Sequence, residues 1–414
     1  MAAASNGFVV VGGGLASARA IKAFREAGGE GRVTLLSSDS SLPYHRPPLS
    51  KRYLRGEVDA ADTLVEGGDF YRDHDVDLRL ETSVESLDLD ERSLRLDGGG
   101  EQRFDRLLIA TGAAPNRLDV PGADLDGVFM LRRLDDSTRI REAAHGKRHA
   151  VVVGAGFIGM EVAASLCQLG LEVTLIHRGE GLFEILHARP LTQFLIELYG
   201  QRGVELVLGD QVATFGGRSR LDSVETTRGR IAQAELAVVG IGVDPGTEWL
   251  EGSGLRIDDG VVVNQRFETG VEGVWAAGDV ARFYDPLYEK HRRIEHWSNA
   301  NYAGAEVGRL IAGGDGGFDI VSTFFSEVFG LTFKVFGDVD DFEALVFRGS
   351  VDNSAIGFYL RGERLVACLV VGQDEETEAK LKELIAARAT APDPKRLSDA
   401  NASLDELFES PSPS

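Results

Sequence analysis

The chain has 414 residues, of which 43% are hydrophobic and 27% are charged, and its mean hydropathy is −0.09. This composition is typical of a folded chain of about two to four domains and excludes a wholly disordered protein, and no apolar stretch approaches the roughly 20 residues of a membrane-spanning helix. The 44 basic and 66 acidic residues give a net charge of −22, which disfavours binding of nucleic acid or anionic membranes through overall charge.

The chain begins with six uncharged residues, followed by an apolar segment, Phe8–Val11, that we predict to be a buried strand. Because no basic region precedes this strand, we expect neither a signal nor a transit peptide, and the cytoplasm is the default location. A helical pattern then starts at Leu15 and continues to about residue 27. The start of the chain is therefore a strand, a turn and a helix.

The turn between this strand and this helix matches the pattern G-x-G-x-x-small at Gly12, Gly14 and Ser17. Glycine at the first two positions permits a tight turn and lets the backbone approach a pyrophosphate, which the N–H groups and dipole of the helix N-terminus then hold. Ser17 replaces the usual Gly or Ala but is small enough to keep helix and strand close. The next strand, 32–36, ends near Asp39, whose carboxylate is expected to accept hydrogen bonds from an adenosine ribose.

The same arrangement returns with a strand over 150–153 and a helix that runs through Leu169. Between them lies a complete glycine fingerprint made of Gly154, Ala155, Gly156, Phe157, Ile158 and Gly159. The following strand, 172–176, ends in His177 and Arg178 rather than in an acid. An acid there binds the ribose 2′-hydroxyl of NAD, whereas a guanidinium accommodates a 2′-phosphate, so the pattern favours NADPH. A solvated surface arginine is the alternative for Arg178.

Four further motifs accompany the two turns, which on their own are also compatible with connections that bind nothing. They are Leu42–Lys51, Leu107–Gly112, Val238–Val243 and Gly273–Asp279. In the order and spacing of all six motifs over residues 7–315, the chain resembles the FAD-dependent pyridine nucleotide oxidoreductases, specifically the branch of oxygenase-coupled ferredoxin reductases. The resemblance implies FAD at the first turn and NAD(P)H at the second.

The resemblance implies an α/β fold with two Rossmann-like dinucleotide-binding domains, the second inserted in the first, and a C-terminal α+β domain. The FAD-binding domain is expected over 1–115 and 245–317, and the NAD(P)H-binding domain over 116–244. The C-terminal domain, over 318–392, is expected to form a cap or an interface in a monomer or homodimer. Polar residues that end in Ser410–Ser414 predict a mobile tail over 393–414.

The resemblance also implies which residues contact the cofactors, and no metal site is expected. Contacts with FAD are expected from Gly12, Gly14, Leu15, Ala16, Ser38, Asp39, Arg46, Lys51, Val84, Thr111, Gly112, Arg132, Asp279 and Trp297. Contacts with NAD(P)H are expected from Gly154, Gly156, Phe157, Ile158, Gly159, His177, Arg178 and Gly242. The alternative for Arg46 and Arg132 is that they are surface arginines. Asp279 is expected to bind the ribityl chain of FAD, and the alternative is that it is a helix N-cap.

Three residues, Lys51, Glu161 and Trp297, are expected to act beside the flavin ring. In similar proteins the lysine and the glutamate meet near flavin N5, where a positive lysine stabilises reduced, anionic flavin and the glutamate holds the lysine in place. An ordinary ion pair between domains is the alternative. Trp297 falls where the family places a residue against the flavin and the nicotinamide, and aromatic core packing is the alternative.

Only two cysteines occur, Cys167 and Cys368, and they form neither a C-x4-C nor a C-x-x-C pair. A disulfide framework and a cysteine-rich metal site are therefore not expected. Relatives that reduce disulfides carry such a pair, so the resemblance implies direct electron transfer from flavin to an external acceptor. Cys167 is expected to be a small core residue.

The region after residue 317 carries five strand-like segments and then a helical pattern from about Glu375 to Arg388. Its first segment departs from the W-x-W-S-D pattern that is common in ferredoxin reductases. The residues Phe325–Phe329 look more like the corresponding part of monodehydroascorbate reductases. The identity of the electron acceptor therefore stays open at this point.

The implied function is hydride transfer from the nicotinamide to flavin N5, followed by delivery of single electrons to a ferredoxin or a similar small iron–sulfur protein. Because an acidic reductase suits an acidic ferredoxin poorly, we expect a local basic patch at Lys290, Arg292 and Arg293. One alternative is a small-molecule acceptor such as an ascorbate radical, a quinone or dioxygen. Another is a redox sensor resembling apoptosis-inducing factor. Nucleic acid and membrane partners are not expected.

Overall fold

A computed structural model describes residues 7–409, which divide into two compact units. The first unit holds 7–47, 58–114 and 243–319, and the second holds 48–57, 115–242 and 320–409. The boundaries of the expected domains stay predictions, and residues 48–57, expected in the FAD-binding domain, belong to the second unit. The second unit contains both the region expected to bind NAD(P)H and the C-terminal region, so their separation into two domains stays a prediction.

The helices and strands are numbered in chain order. Up to residue 115 they are β1 (Phe8–Val11), α1 (Leu15–Glu26), β2 (Val33–Leu36), α2 (Gly68–Asp73), β3 (Val76–Arg79), β4 (Val84–Asp88), β5 (Ser93–Leu96), β6 (Glu101–Arg103), β7 (Arg106–Ile109) and β8 (Ala113–Pro115). Up to residue 239 they are β9 (Val128–Met130), α3 (Leu134–Ala144), β10 (His149–Val153), α4 (Phe157–Gln168), β11 (Glu172–His177), α5 (Arg189–Gln201), β12 (Glu205–Leu208), β13 (Val212–Gly217), β14 (Leu221–Thr226), β15 (Ile231–Gln233) and β16 (Leu236–Val239).

The remaining elements follow residue 242. They are β17 (Val243–Pro245), β18 (Val261–Val263), β19 (Val274–Ala276), β20 (Ala281–Asp285), β21 (Lys290–Arg293), α6 (Trp297–Ile311), β22 (Thr323–Val328), β23 (Leu331–Gly337), β24 (Ala344–Ser350), β25 (Ser354–Arg361), β26 (Arg364–Val371), α7 (Glu375–Ala386) and α8 (Leu404–Leu407). None of the helices within residues 7–409 is long and apolar enough to span a bilayer.

The first unit is built on a five-stranded parallel sheet in the order β19-β7-β1-β2-β3. All four residues of β1 are buried, as the run of apolar side chains predicts for a parallel strand covered on both faces. Helices α1 and α6 pack with their backbones in close approach. A Cβ on Gly304 would lie 2.3 Å from the carbonyl oxygen of Ala16, and one on Gly308 would lie 2.2 Å from that of Ala20. The absence of a side chain at these two positions of α6 therefore allows its backbone to pack directly against α1.

The second unit contains another five-stranded parallel sheet, in the order β12-β11-β10-β16-β9. A three-stranded antiparallel sheet, β13-β14-β15, packs on it through a core that includes Val151, Phe215 and Val224. The C-terminal region forms a five-stranded antiparallel sheet in the order β22-β23-β26-β25-β24, followed by α7. The expected α/β class with a C-terminal α+β region is confirmed.

The end of the described chain differs from the expected mobile tail. Residues 394–398 form a 3₁₀ helix, α8 follows, and the N–H of Glu409 donates to the carbonyl of Thr390 at 2.8 Å. Leu397, Leu407 and Phe408 are buried. The prediction is wrong over 393–409 because these apolar side chains anchor a segment whose average composition is polar. Its last part, 410–414, lies outside the described residues.

Candidate dinucleotide-binding and redox sites

The first glycine-rich turn has a backbone that only glycine adopts easily. Gly12 has a φ of +118°, and a Cβ there would lie 2.2 Å from the carbonyl oxygen of Ala110. Among the residues that the structure describes, a Cβ on Gly14 would meet the Arg46 guanidinium, at 3.4 Å, and no other group outside the turn within 4 Å. Ser17, the third residue of the pattern, donates its hydroxyl to the Gly12 carbonyl. The turn therefore leaves room beside Gly14 at the N-terminus of α1, and this room suits a diphosphate next to a cation.

Residues that follow β2 surround the same turn. The Arg46 guanidinium carbon lies 5.6 Å from the ring centre of buried Tyr44, a cation–π arrangement. The Tyr44 hydroxyl donates to Asp39 at 2.8 Å, and the other carboxylate oxygen of Asp39 accepts from the N–H of Ser41 at 3.1 Å. These contacts hold Asp39 just beyond the end of its strand, and its proposed ribose contact stays a prediction.

Several of the expected FAD residues gather at one edge of the first sheet. The strands β1, β2, β7 and β19 are parallel, so their carboxyl ends face the same way. Gly12, Ser38, Thr111 and Asp279 each follow one of these ends. Ligands of open α/β sheets bind outside this edge. The arrangement therefore brings together residues that lie up to 267 positions apart in the sequence.

The remaining FAD candidates take varied positions. The Thr111 hydroxyl donates to the carbonyl of Gly246 at 2.8 Å, and Gly112 has a φ of +71°. Leu15 and Ala16 are buried at the start of α1, and Val84 opens β4. Asp279 lies within a short 3₁₀ helix whose N-cap is Ala277, which differs from the alternative that Asp279 itself is the cap. Arg132 belongs to the second unit, where its N–H donates to Asp136 at 3.0 Å.

Trp297 and two histidines lie near the start of α6 in the first unit. The indole Nε1 of Trp297 donates to Nδ1 of His45 at 2.8 Å, and the tryptophan is half-buried rather than enclosed in the core. Burial lowers the pKa of His296 to about 4, an effect that Asp279 opposes and Arg292 reinforces. His296 is therefore neutral near pH 7. Sequence analysis missed the contact with His45, because no local pattern signals a partner 252 residues away.

The second glycine-rich turn is more tightly closed than the first. Gly154 has a φ of +108°, and a Cβ there would lie 2.1 Å from the carbonyl oxygen of Gly240. A Cβ on Gly159 would lie 2.0 Å from the carbonyl oxygen of Gly154, so no side chain fits at the third position. Among residues 7–409, no heavy atom outside the turn itself lies within 4 Å of the place that a Cβ on Gly156 would take. This open space at the N-terminus of α4 fits a second diphosphate.

Apolar side chains border the second turn. Ile158 is 40% exposed, and the ring of Phe157 packs edge-on against Phe183 and Phe324, with ring centres 5.0 and 5.3 Å apart. Gly242 has a φ of +112° on the connection that follows β16. The exposed apolar surface and the open turn agree with a nucleotide site, and the individual contacts with NAD(P)H stay predictions.

His177, at the end of β11, contacts both the second turn and an unforeseen acid. Its Nδ1 lies 3.3 Å from the N–H of Ala155, which donates to it, and its Nε2 lies 3.7 Å from an oxygen of Glu184. Burial lowers the pKa of His177, although Glu184 opposes this effect. A neutral His177 leaves Arg178 as the cation at this strand end. The sequence did not predict this contact, because Glu184 belongs to a separate 3₁₀ helix, Glu184–Leu186, outside the glycine pattern.

Lys51 and Glu161 form a buried ion pair within the second unit, with Nζ and Oε2 2.5 Å apart. Their side chains are only 9% and 5% exposed. The Ser50 hydroxyl donates to the same oxygen of Glu161 at 2.5 Å, and the Ser326 hydroxyl donates to the other oxygen at 2.8 Å. Three donors thus satisfy the carboxylate that the lysine needs as a counter-charge. The structure brings the expected pair together, while its role beside flavin stays a prediction.

The expected basic patch is wrong for two of its three members. Arg292 is 11% exposed and donates to the buried carboxylate of Asp285 at 2.8 Å. Arg293 is 12% exposed and pairs with Asp259 at 3.0 Å and also with Glu295. The cause is the hairpin of β20 and β21 and the loops beside it, which supply an acid for each arginine. These two charges are therefore neutralised within the first unit, and Lys290 is half-buried.

Both cysteines are free thiols on separate elements. Cys368 is fully buried in β26, whereas Cys167 on α4 is only half-buried and donates to the carbonyl of Arg202 at 3.2 Å. Burial raises the pKa of the Cys167 thiol, although the nearby Arg202 opposes this. Cys167 is thus less enclosed than the expected core residue.

Known proteins resemble the chain over most of its length. Residues 7–304 match the family model described as pyridine nucleotide-disulphide oxidoreductase, and residues 323–408 match that described as reductase C-terminal. The ferredoxin reductase component of chlorobenzene dioxygenase from Cupriavidus sp. (strain PS12) is 34% identical over 96% of both chains. Putidaredoxin reductase from Pseudomonas putida is 30% identical over 98% of this chain and 97% of its own. The solved covalent complex of putidaredoxin reductase with putidaredoxin contains a chain that superposes with a TM-score of 0.92, at 30% identity and 98% coverage of both chains.

Proposed function

Because the chain belongs to the pyridine nucleotide-disulphide oxidoreductase family, we propose that it is an FAD-dependent reductase that passes electrons from NAD(P)H to a ferredoxin-type iron–sulfur protein. The observation that carries this proposal is the pair of glycine-rich turns, each open beside its second glycine at a helix N-terminus. Bound FAD supplies the redox chemistry, since flavin N5 accepts two electrons as hydride and can release them one at a time. The protein binds and orients the two nucleotides.

The first turn supplies binding energy for the FAD diphosphate. The N-terminus of α1, whose first N–H groups have no partner within the helix, directs its positive dipole end towards the space beside Gly14. The Arg46 guanidinium, held against Tyr44, adds a full positive charge at the same place. Asp39 and Asp279, at the ends of neighbouring strands, are proposed to accept hydrogen bonds from the ribose and the ribityl chain.

The Lys51–Glu161 pair is proposed to tune the flavin. Glu161 balances the lysine charge within a buried environment, and the hydroxyls of Ser50 and Ser326 fix its two oxygens. The lysine side chain is therefore held in one conformation rather than moving in solvent. A fixed ammonium group favours the reduced, anionic form of a nearby flavin, which is the form that the resemblance assigns to it.

The second turn is proposed to bind NAD(P)H, with a preference that two opposite charges decide. Arg178 attracts the 2′-phosphate of NADPH, as the sequence predicts. Glu184 lies 3.7 Å from His177 at the same strand end and repels that phosphate. The cation follows the strand directly, so we keep NADPH as the proposed donor. A reductase that draws on this coenzyme is proposed to work in the cytoplasm.

The proposed acceptor rests on the relatives. One is named as a ferredoxin reductase component of a dioxygenase, and another is solved in complex with putidaredoxin. The C-terminal match to a reductase domain extends the likeness beyond the nucleotide-binding region. The departure at Phe325–Phe329 is confined to β22 and its turn, where Phe325 is 37% exposed and Ser326 faces Glu161.

The test is anaerobic electron transfer from NADPH or NADH to cytochrome c, with and without a [2Fe–2S] ferredoxin, while the flavin spectrum is recorded. We expect flavin bleaching by the coenzyme and cytochrome c reduction that depends on ferredoxin. The Gly156→Val variant is the matched control, because its side chain fills the open space of the second turn only. It should retain FAD and lose bleaching. Bleaching without transfer to any of several ferredoxins would contradict the proposed acceptor and favour a small molecule.

A further inference from the structure

The contact between His45 and Trp297 fixes the protonation state of an imidazole. The indole Nε1–H is only a donor, so Nδ1 of His45, 2.8 Å away, must accept and cannot carry a proton. The hydrogen of a neutral His45 therefore resides on Nε2. The two rings are tilted by 47° with centres 5.6 Å apart, so the link between them is the hydrogen bond rather than stacking.

The backbones on both sides of this bond are held by other contacts. The N–H of His45 donates to the carbonyl of Thr63 at 2.7 Å. Helix α6, which Trp297 opens, is fixed against α1 by its glycines and by a bond of 2.7 Å from Arg19 to Asn301. The indole itself is only half-buried. The bond to His45 thus selects one orientation of the Trp297 ring.

We propose that His45 is a positioning residue for Trp297 and works as a latch that protonation opens. Neutral His45 accepts the indole N–H and holds the ring, whereas imidazolium offers only donors and releases it. This inference rests on the proposed function, because the place of Trp297 beside flavin and nicotinamide comes from the family resemblance. With the latch open, the indole leaves the orientation in which it borders the reacting rings.

The charges that face His45 set the direction of this switch. Arg19 approaches from α1, and Glu66 approaches from the segment before α2. Burial lowers the pKa of His45 and Arg19 lowers it further, while Glu66 raises it. Glu66 is itself partly neutralised by Lys22, 2.8 Å away, and by Arg19, 3.7 Å away. The latch is therefore closed near pH 7 and opens as the pH falls below the ordinary histidine range.

Two substitutions separate the hydrogen bond from its titration. In His45→Asn, the side-chain Oδ1 takes the place of Nδ1 and accepts the indole N–H at every pH. In His45→Ala no acceptor remains. The measurement is the rate constant of flavin reduction by NADPH, in the holoenzyme, between about pH 5 and pH 8. In the wild-type protein we expect this rate constant to fall about tenfold as the pH is lowered. In His45→Asn it should not fall in this way, and in His45→Ala it should be about tenfold lower at every pH.

A second readout does not depend on turnover. The indole ¹⁵N–¹H signal of Trp297 in the holoenzyme, assigned by its loss in Trp297→Phe, should shift with the same pH midpoint as the His45 ring. In Trp297→Phe the pKa of His45 should rise, because the indole no longer stabilises the neutral ring. An indole signal that ignores pH, or a His45→Asn variant that titrates like the wild type, overturns the latch. Failure of NADPH to reduce flavin in the wild type would instead overturn the proposed function, and the indole signal would still decide the latch.

Discussion

The two glycine-rich turns have the same strand–turn–helix arrangement, but they differ in the residue at the third position of the glycine pattern. In the second turn a Cβ on Gly159 would lie 2.0 Å from the carbonyl oxygen of Gly154, so glycine is required. In the first turn Ser17 occupies that position and donates its hydroxyl to the corresponding carbonyl, that of Gly12. The first helix thus stands far enough from its strand to admit a side chain. The size of the third residue thus follows the closeness of the helix to its strand, in agreement with the packing role of this position in such turns.

The helices that follow the turns differ more strongly in charge. Arg19 and Glu161 each lie seven residues after the first glycine of their turn. Arg19 is 26% exposed and lies 3.7 Å from Glu66, whereas Glu161 is 5% exposed and pairs with Lys51. The same position therefore carries a partly exposed cation in one unit and a buried anion in the other. The strand–turn–helix arrangement therefore does not determine the charge at this position.

The largest expected effect comes from removing the buried charge. Glu161→Gln leaves Lys51 without its counter-charge in a dry environment, which costs about 3–5 kcal/mol. For the holoenzyme this corresponds to a fall of about 5–10 °C in the thermal midpoint. The matched variant Arg19→Gln loses a partly exposed ion pair with Glu66 and the hydrogen bond to Asn301, together worth about 1–2 kcal/mol, and should shift the midpoint by no more than about 4 °C. Equal shifts in the two variants would show that Glu161 is not a buried partner of the lysine.

The next effect concerns the arginine that lies beside the second glycine of the first turn. Arg46→Ala removes a guanidinium 3.4 Å from the position of a Cβ on Gly14, and with it a charge-assisted contact worth about 1.5–3 kcal/mol. We expect the FAD dissociation constant, measured by fluorescence of released flavin, to rise about tenfold to a hundredfold. Arg178→Ala, at the other turn, is the control and should leave FAD affinity unchanged. A normal FAD affinity in Arg46→Ala would make this residue the surface arginine of the alternative interpretation.

A third pair of variants tests the spacing of the turns directly. Gly159→Ala forces apart α4 and the strand before it, at a cost of about 1–3 kcal/mol, and should weaken coenzyme binding about tenfold. Ser17→Ala keeps the Cβ and removes only the hydrogen bond to Gly12, so FAD binding should weaken less than about threefold. Coenzyme binding in Gly159→Ala is measured by titrating flavin bleaching with NADPH, and FAD binding in Ser17→Ala is measured by the fluorescence of released flavin. A mild Gly159→Ala variant would mean that the two turns are equally open.

Local patterns were sufficient for part of the fold. Apolar runs predicted β1, β2, β10, β11 and the five C-terminal strands, and glycines at fixed offsets predicted both turns, because these signals depend on neighbouring residues. The Lys51–Glu161 pair came from the resemblance and not from any pattern, since the two residues are 110 positions apart. The order of the first sheet explains why Gly12, Ser38, Thr111 and Asp279 come together only in the folded chain.

The errors share one physical cause, which is that tertiary partners are invisible in a single sequence. Arg292 looked like a free surface charge, yet a hairpin turns it towards Asp285. The segment over 393–409 is polar on average, yet Leu397 and Phe408 find buried places in the fold. His45 and Glu184 carry no local signature, and their partners decide what they do.

The smallest expected effect is on coenzyme preference, and it tests how the ends of β2 and β11, the strands that follow the two turns, differ in charge. Near the end of β2, Asp39 accepts a hydrogen bond from Tyr44. Near the end of β11, Arg178 and Glu184 have opposite charges, and Glu184 lies beside the neutral His177. Glu184→Gln removes the repulsion of a 2′-phosphate and should raise the ratio of kcat/KM for NADPH to that for NADH about threefold to tenfold. Arg178→Ala should lower the same ratio by a similar factor. Because both charges act only on the 2′-phosphate, kcat/KM for NADH should barely change in either variant; a ratio that ignores Arg178 would remove the reason to propose NADPH.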